Sequence, residues 1–163
     1  MGLFKSKKGS IISEIFVVQE DVGKLTKGMA VEVALHDDHL ELTAPLFVKT
    51  PISLQYAQIT DVFYGMQSEI VEKNKSTIGR AVAGGLLFGG AGAVVGAISG
   101  SGTKKKTVNK FMFIISYTSS AGADAFLTFE DTRMFKGRKL AKQLRELCGM
   151  SPQAGDDKNI TSL

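Results

Sequence analysis

Tryptophan is absent from this 163-residue chain, cysteine occurs once, histidine twice and proline three times. The lone Cys148 excludes an intramolecular disulfide and suits a reducing cytosol. Both histidines fall in one tetrapeptide, His36-Asp37-Asp38-His39, so no nucleophile–base arrangement can be drawn from the sequence, and the chain is not expected to be an enzyme. A strong charge of one sign is missing too. Twenty Lys and Arg against 16 Asp and Glu leave +4, which permits nucleic acid without demanding it. Met1 to Ser10 is polar and basic with no apolar stretch behind it, so no secretory signal is expected. The expected location is cytoplasmic, with conditional association with the inner face of the cell membrane. The most telling absence is local: the 23 residues from Ala81 to Thr103 carry no charge.

What fills that gap is glycine. Residues 79–102 read GRAVAGGLLFGGAGAVVGAISGSG and hold nine of the chain's 18 glycines. Small residues recur every fourth position in two registers. One is Gly84, Gly92, Gly96 and Gly100, interrupted by Phe88; the other is Ala81, Gly85, Gly89, Ala93, Ala97 and Ser101. Such rows let helix backbones approach closely, as in associating membrane helices. A soluble core prefers larger side chains, because Gly buries little apolar area and costs about 1 kcal/mol against Ala in a helix. The segment expected to self-associate and meet lipid therefore comprises Gly84, Gly85, Leu86, Leu87, Phe88, Gly89, Gly92, Gly96 and Gly100. Arg80 before it and Lys104, Lys105 and Lys106 after it are the expected contacts to an anionic surface, where each basic residue adds about 1 kcal/mol.

Other motifs carry less. No Walker loop can be read, because Gly102 is followed by Thr103 and the nearest lysine comes one residue late; no G-x-G-x-x-G occurs either. No cofactor is expected. Imidazole and carboxylate in His36 to His39 suit zinc in principle. Neighbouring side chains on a tight hairpin are expected to diverge, however, and no distant His or Cys completes a shell. A solvated turn is the reading, with no metal. MGLFKS matches the myristoylation pattern, with Lys5, Lys7 and Lys8 as the electrostatic second signal. It is read as a basic leader, and as a lipidation site only in a eukaryotic or viral source. Cys148 is expected to pack. The basic face of the last helix lacks interleaved aromatics, which disfavours nucleic acid.

Along the chain, residues 1–10 form the leader and residues 11–73 read as β. Val31, Val33 and Leu35 alternate with Ala30, Glu32 and Ala34. Leu40 and Leu42 alternate with His39, Glu41 and Thr43. Short strands follow at 52–54, 59–64 and 70–73, and after the glycine-rich block at 111–117 and 125–129. Asp131 is the expected N-cap of a closing helix that Gly149 ends, with Leu140, Leu144 and Leu147 on its apolar face. Arg138, Lys142 and Arg145 lie opposite. Residues 150–163 lack periodicity and read as a disordered tail.

Strands closed by one amphipathic helix follow the order of a pleckstrin-homology-like barrel. The hairpin VEVALHDDHLEL, the segment ISLQYAQITDV, the pair FMFIISY and AFLTFED and the helix RMFKGRKLAKQLREL together resemble bacterial, GRAM-like members of that superfamily. The resemblance covers residues 11–149 apart from the insertion, which ordinary members lack. It implies an α+β fold, an antiparallel barrel with a C-terminal helix and an inserted Gly/Ala-rich hairpin, acting as a binding platform for lipid headgroup, peptide or protein.

If the strands on either side of the insertion share one barrel, the segment must leave and return on the same side. Gly89 to Gly92 is the place to reverse, leaving arms of about ten residues, or about 15 Å if helical, one leaflet deep. As β-hairpin arms they reach about 33 Å. Helical and β forms both stay open. The expected function is a membrane-active, self-associating effector in which the barrel docks or senses a partner and the hairpin perturbs the membrane, with a pore, toxin or phage-defence role as its sharper forms. Its partners are itself, anionic lipids and a protein trigger. The alternative is a soluble or peripheral binding module whose hairpin mediates self-association only.

Overall fold

The computed structural model describes residues 10–70, 77–83, 110–133 and 135–153. Seven strands pair antiparallel throughout: β1 (Ile12–Val18), β2 (Ala30–Leu35), β3 (His39–Thr43), β4 (Ile52–Gln55), β5 (Ile59–Met66), β6 (Phe111–Thr118) and β7 (Asp124–Glu130). Their hydrogen-bonded order is β4-β3-β2-β1-β7-β6-β5. β4 and β5 are therefore its two ends, and no ladder among the described residues joins them into a closed barrel. Helix α1 (Thr77–Ala83) follows β5, and α2 (Lys136–Leu147) follows β7.

The strands form where the period-two pattern predicts, with one instructive extension. In β3 only Leu40 and Leu42 are buried, while His39, Glu41 and Thr43 face outward. In β5 and β6 the buried residues run consecutively, on both faces of the sheet. Val62, Tyr64, Phe113 and Ile115 point into the main core with Phe16 and Phe129. Phe63, Met112 and Ile114 point the other way, into a second cluster closed by Ile70, Ile78, Ala81 and Val82. A strand covered on both faces reads as an unbroken apolar run rather than an alternation. That accounts for ITDVFYGM and FMFIISYT. Each fully buried Phe or Ile stabilises by about 1.5–3 kcal/mol relative to exposure, so the second cluster is a substantial layer.

Three expectations about boundaries need correction. Ile70 is helical (φ −58°, ψ −49°), not the start of a strand, because a 3-10 turn at Gln67–Glu69 has already reversed the chain. The other residues of that expected strand lie outside the described set. Asp131 is not the N-cap of α2. Phe135 holds that position at φ 70°, and Asp131 instead reaches the helix from a distance, accepting from the Gly137 N–H at 2.8 Å. Arg145 does not lie on the solvated face. Its Nη1 donates to the Val62 carbonyl and lies 3.7 Å from Asp61 Oδ1, while its Nε donates to the Ser151 carbonyl at 2.8 Å. The guanidinium thus plugs one of the open carbonyls on the edge of β5.

Leu140 and Leu144 are buried and Leu147 packs against the core, as the i, i+4, i+7 spacing predicts. The helix ends as expected at Gly149, whose φ of 69° allows the Met150 N–H to reach the Arg145 carbonyl (2.8 Å) and its own N–H to reach Glu146 (3.0 Å). This is a Schellman closure. The first residues of the expected tail are ordered: Met150 packs on the core, and the Gln153 amide donates to the Tyr64 carbonyl (2.8 Å) and accepts from its N–H (2.9 Å). Residues 154–163 and 1–9 lie outside the described set.

Candidate functional site

The insertion leaves the sheet at the end of β5 and returns at the start of β6, and these two strand ends are paired. Met66 faces Phe111 in the ladder, and the Gln67 N–H donates to the Lys110 carbonyl at 2.9 Å. Residues 67–110 are therefore one insertion with a closed neck, in place of a hairpin turn. Entry and exit lie side by side, as the same-side argument requires.

Three features surround that neck. On the outer face of the sheet, α1 lays Ile78, Ala81 and Val82 onto Phe63, Met112 and Ile114. The first turn of the uncharged segment is thereby spent on the domain itself, and Ala81 is not available to extend the small-residue row beyond it. Arg80, on the same helix, is exposed. Beside the neck, the Phe111 ring contacts the Phe135 ring (centroids 4.5 Å) and lies near the Tyr64 ring (6.3 Å). Phe135 is 50% exposed, and the Arg138 guanidinium lies 5.1 Å above its ring. Lys136, Lys139 and Lys142 on the same helix are exposed as well. Finally, Lys110 pairs with Glu130 at 3.1 Å, anchoring the returning strand.

Phe135 was not singled out by the sequence reading. A bulky residue in the left-handed region costs about 1–2 kcal/mol, and here the contacts with Phe111 and Arg138 hold it there. Below it the Asp131 carboxylate, itself buried, accepts from the Tyr64 hydroxyl (2.6 Å), the Gly137 N–H (2.8 Å) and the Arg133 N–H (3.1 Å). Burial first, then this carboxylate, push the Tyr64 phenol well above its ordinary range. Gly137 allows the approach: a Cβ there meets the Phe16 ring at 2.5 Å. The neck is thus rigid beneath and presents an exposed aromatic with cations above.

Gly84, Gly85, Leu86, Leu87, Phe88, Gly89, Gly92, Gly96 and Gly100, and with them Lys104, Lys105 and Lys106, lie outside the described residues. Among the described residues no helix is long and apolar enough to cross a membrane. Cys148 packs partly buried against the main core, and burial pushes its thiol up to about 11, which makes it unreactive at neutral pH.

The His36 to His39 turn differs from expectation. Asp37 and Asp38 are exposed, but the two imidazoles do not diverge: they stack with centroids 4.6 Å apart and planes 8° apart. Leu35 and Leu40 enter the core, so the residues on either side of the turn both face outward, and the His36 N–H to His39 carbonyl bond (2.9 Å) sets them opposite each other. Sequence adjacency misled because the pair is a cross-strand one.

The family model described as glycine zipper containing PH domain matches residues 17–129. No curated protein matches the chain.

Proposed function

Because the chain belongs to the glycine zipper containing PH domain family, we propose that it is a self-associating module that assembles on an anionic membrane surface, with the barrel-like domain as platform and residues 84–102 as the assembling segment. The closed neck is the observation that carries this reading. A segment whose ends are tied by the Gln67–Lys110 hydrogen bond cannot make a single crossing, so it enters and returns from the face that presents it. That face also carries Phe135 and Arg138, an aromatic and a cation suited to the headgroup layer, where amphipathic rings settle. Arg80 at the outgoing root and Lys104 to Lys106 at the return add basic charge.

The six strongly apolar residues of this segment, Leu86, Leu87, Phe88, Val94, Val95 and Ile98, supply only a few kcal/mol of insertion free energy at about 0.3–0.6 kcal/mol each. Membrane engagement therefore depends on assembly along the Gly92-x-x-x-Gly96-x-x-x-Gly100 row, and assembled copies perturb the cytoplasmic leaflet, a pore being the fullest form. A toxin or defence role would follow from that activity.

The test uses the purified full chain with vesicles of phosphatidylcholine and phosphatidylserine, reading crosslinked oligomers and dye release. Gly96→Leu and Gly92→Leu raise hydrophobicity while blocking close approach. The expected result is loss of oligomers and of release, with an unchanged far-UV circular dichroism spectrum. Wild-type assembly and release in both variants overturn the zipper reading. Oligomers that form equally without vesicles, and release no dye with them, establish instead the soluble self-association reading, which the packing of Ile78, Ala81 and Val82 onto their own sheet favours.

A further inference from the structure

We infer that His36, His39 and Glu41 form a binding site for a zinc-type divalent cation on the outer face of the β2–β3 hairpin, away from the neck and independent of the self-association reading. One ligand atom from each of the three lies within 4.8 Å of the others. The hairpin geometry brings them together. His36 and His39 face each other across the turn, and Glu41 follows His39 by two residues on the same outward face of β3.

Two further observations point to a ligand. His36 Nε2 is buried and has no hydrogen-bond partner; among the described residues Thr128 Oγ1 is the other buried side-chain atom left so. A buried polar atom without a partner is costly, and a metal satisfies it. His39 Nδ1 is hydrogen-bonded to Asp38 Oδ1 at 2.6 Å, which leaves its Nε2 for coordination, and the exposed Asp38 carboxylate can follow the ring as it turns. A carboxylate on the far nitrogen of a ligating imidazole is the usual outer support of a zinc ligand. The His36 backbone is also pinned, its carbonyl accepting from the Tyr56 hydroxyl at 2.5 Å, and the Glu41 carboxylate accepts from Thr43 Oγ1 at 3.3 Å.

Two imidazoles and one carboxylate are a known zinc donor set, with a fourth position left to water. Bonds of about 2.0 Å in a tetrahedron place donors about 3.3 Å apart. The trio must therefore tighten, and the stacked rings must turn about their Cβ–Cγ bonds so that their in-plane lone pairs converge. That torsion is broad, and both side chains are partly exposed.

The test titrates the full chain, stripped with a chelator, with zinc chloride alone by calorimetry, and with cobalt(II) chloride by visible absorption. One zinc per chain is expected, with a tetrahedral cobalt spectrum and no binding of magnesium chloride. His36→Ala and His39→Ala should each weaken zinc at least tenfold. Glu41→Gln and Asp38→Asn, which keep shape and lie at the surface, should weaken it about tenfold. Circular dichroism in chelator checks that each variant is folded. Absence of zinc binding by the wild type overturns the site. So does binding that survives Glu41→Gln and Asp38→Asn unchanged.

Discussion

The outer face of β3 and β4 and the outer face of β5 and β6 belong to one sheet, yet they meet opposite surroundings. The first exposes His39, Glu41 and Thr43 to solvent; the second buries Phe63, Met112 and Ile114 under α1. The inner faces of both join one core. The difference shows where the insertion is rooted. An apolar outer face needs a cover, and the chain supplies it from the beginning of the glycine-rich segment, so the element expected to meet other molecules starts as part of the domain's own packing.

If the inner core is the cooperative unit and the outer cluster a detachable layer, substitutions should separate them. The largest effect is expected from Phe113→Ala. Its ring is fully buried and contacts Phe16 (4.9 Å) and Phe129 (5.9 Å), and such truncations cost about 3–5 kcal/mol. Urea unfolding should show that loss, or no folded protein at all.

A smaller effect is expected from Ile78→Ala, which loosens α1. A seven-residue helix held by one small cluster can open locally, so the global loss should be about 1–2 kcal/mol, below the full cost of a core cavity. Faster hydrogen exchange should be confined to α1 and its root, with increased binding of a hydrophobic dye. A global loss equal to that of Phe113→Ala would show that the two layers unfold as one and would remove the distinction.

The smallest effect concerns pH. Cys148 packs on the inner core, and burial raises its thiol from an ordinary 9.0 to about 11. A raised folded value means that the folded state holds the proton longer. The stabilisation is complete below pH 9 and is lost as pH rises through 11. Cys148→Ala should flatten that part of the melting-temperature profile. A decline persisting toward pH 12 is expected from Tyr56, which desolvation pushes up to about 12. An identical profile in the variant would place Cys148 in water rather than against the core.

Strand β3 was legible in the sequence because His39, Glu41 and Thr43 alternate with the buried Leu40 and Leu42: polar residues at every second position are the signature of one-sided burial. The strands β5 and β6 were legible as strands, but their second buried face was not. Phe113, Ile115 and Tyr117 define one face, while Met112 and Ile114 have no visible destination until α1 is placed on them. Gly149 announced the end of α2 because a left-handed closure favours glycine. Asp131 announced a cap correctly in chemistry and wrongly in place, since its carboxylate reaches Gly137 across a turn that the sequence does not encode locally. Phe135 carried no signal, because the contacts that hold its backbone are with Phe111, far away in the chain.

By itself the sequence determined the strand alternation, the one amphipathic closing helix, the charge-free glycine rows and, with them, the family. Each of these depends on residues within a few positions of one another, where backbone periodicity and side-chain size act directly. The tertiary structure decided that the insertion has a closed neck, that its root covers the sheet, that Arg145 and Gln153 seal the edge of β5, and that two imidazoles read as divergent stand face to face. Those outcomes depend on strand register and on groups distant in sequence meeting in space, which no local pattern specifies.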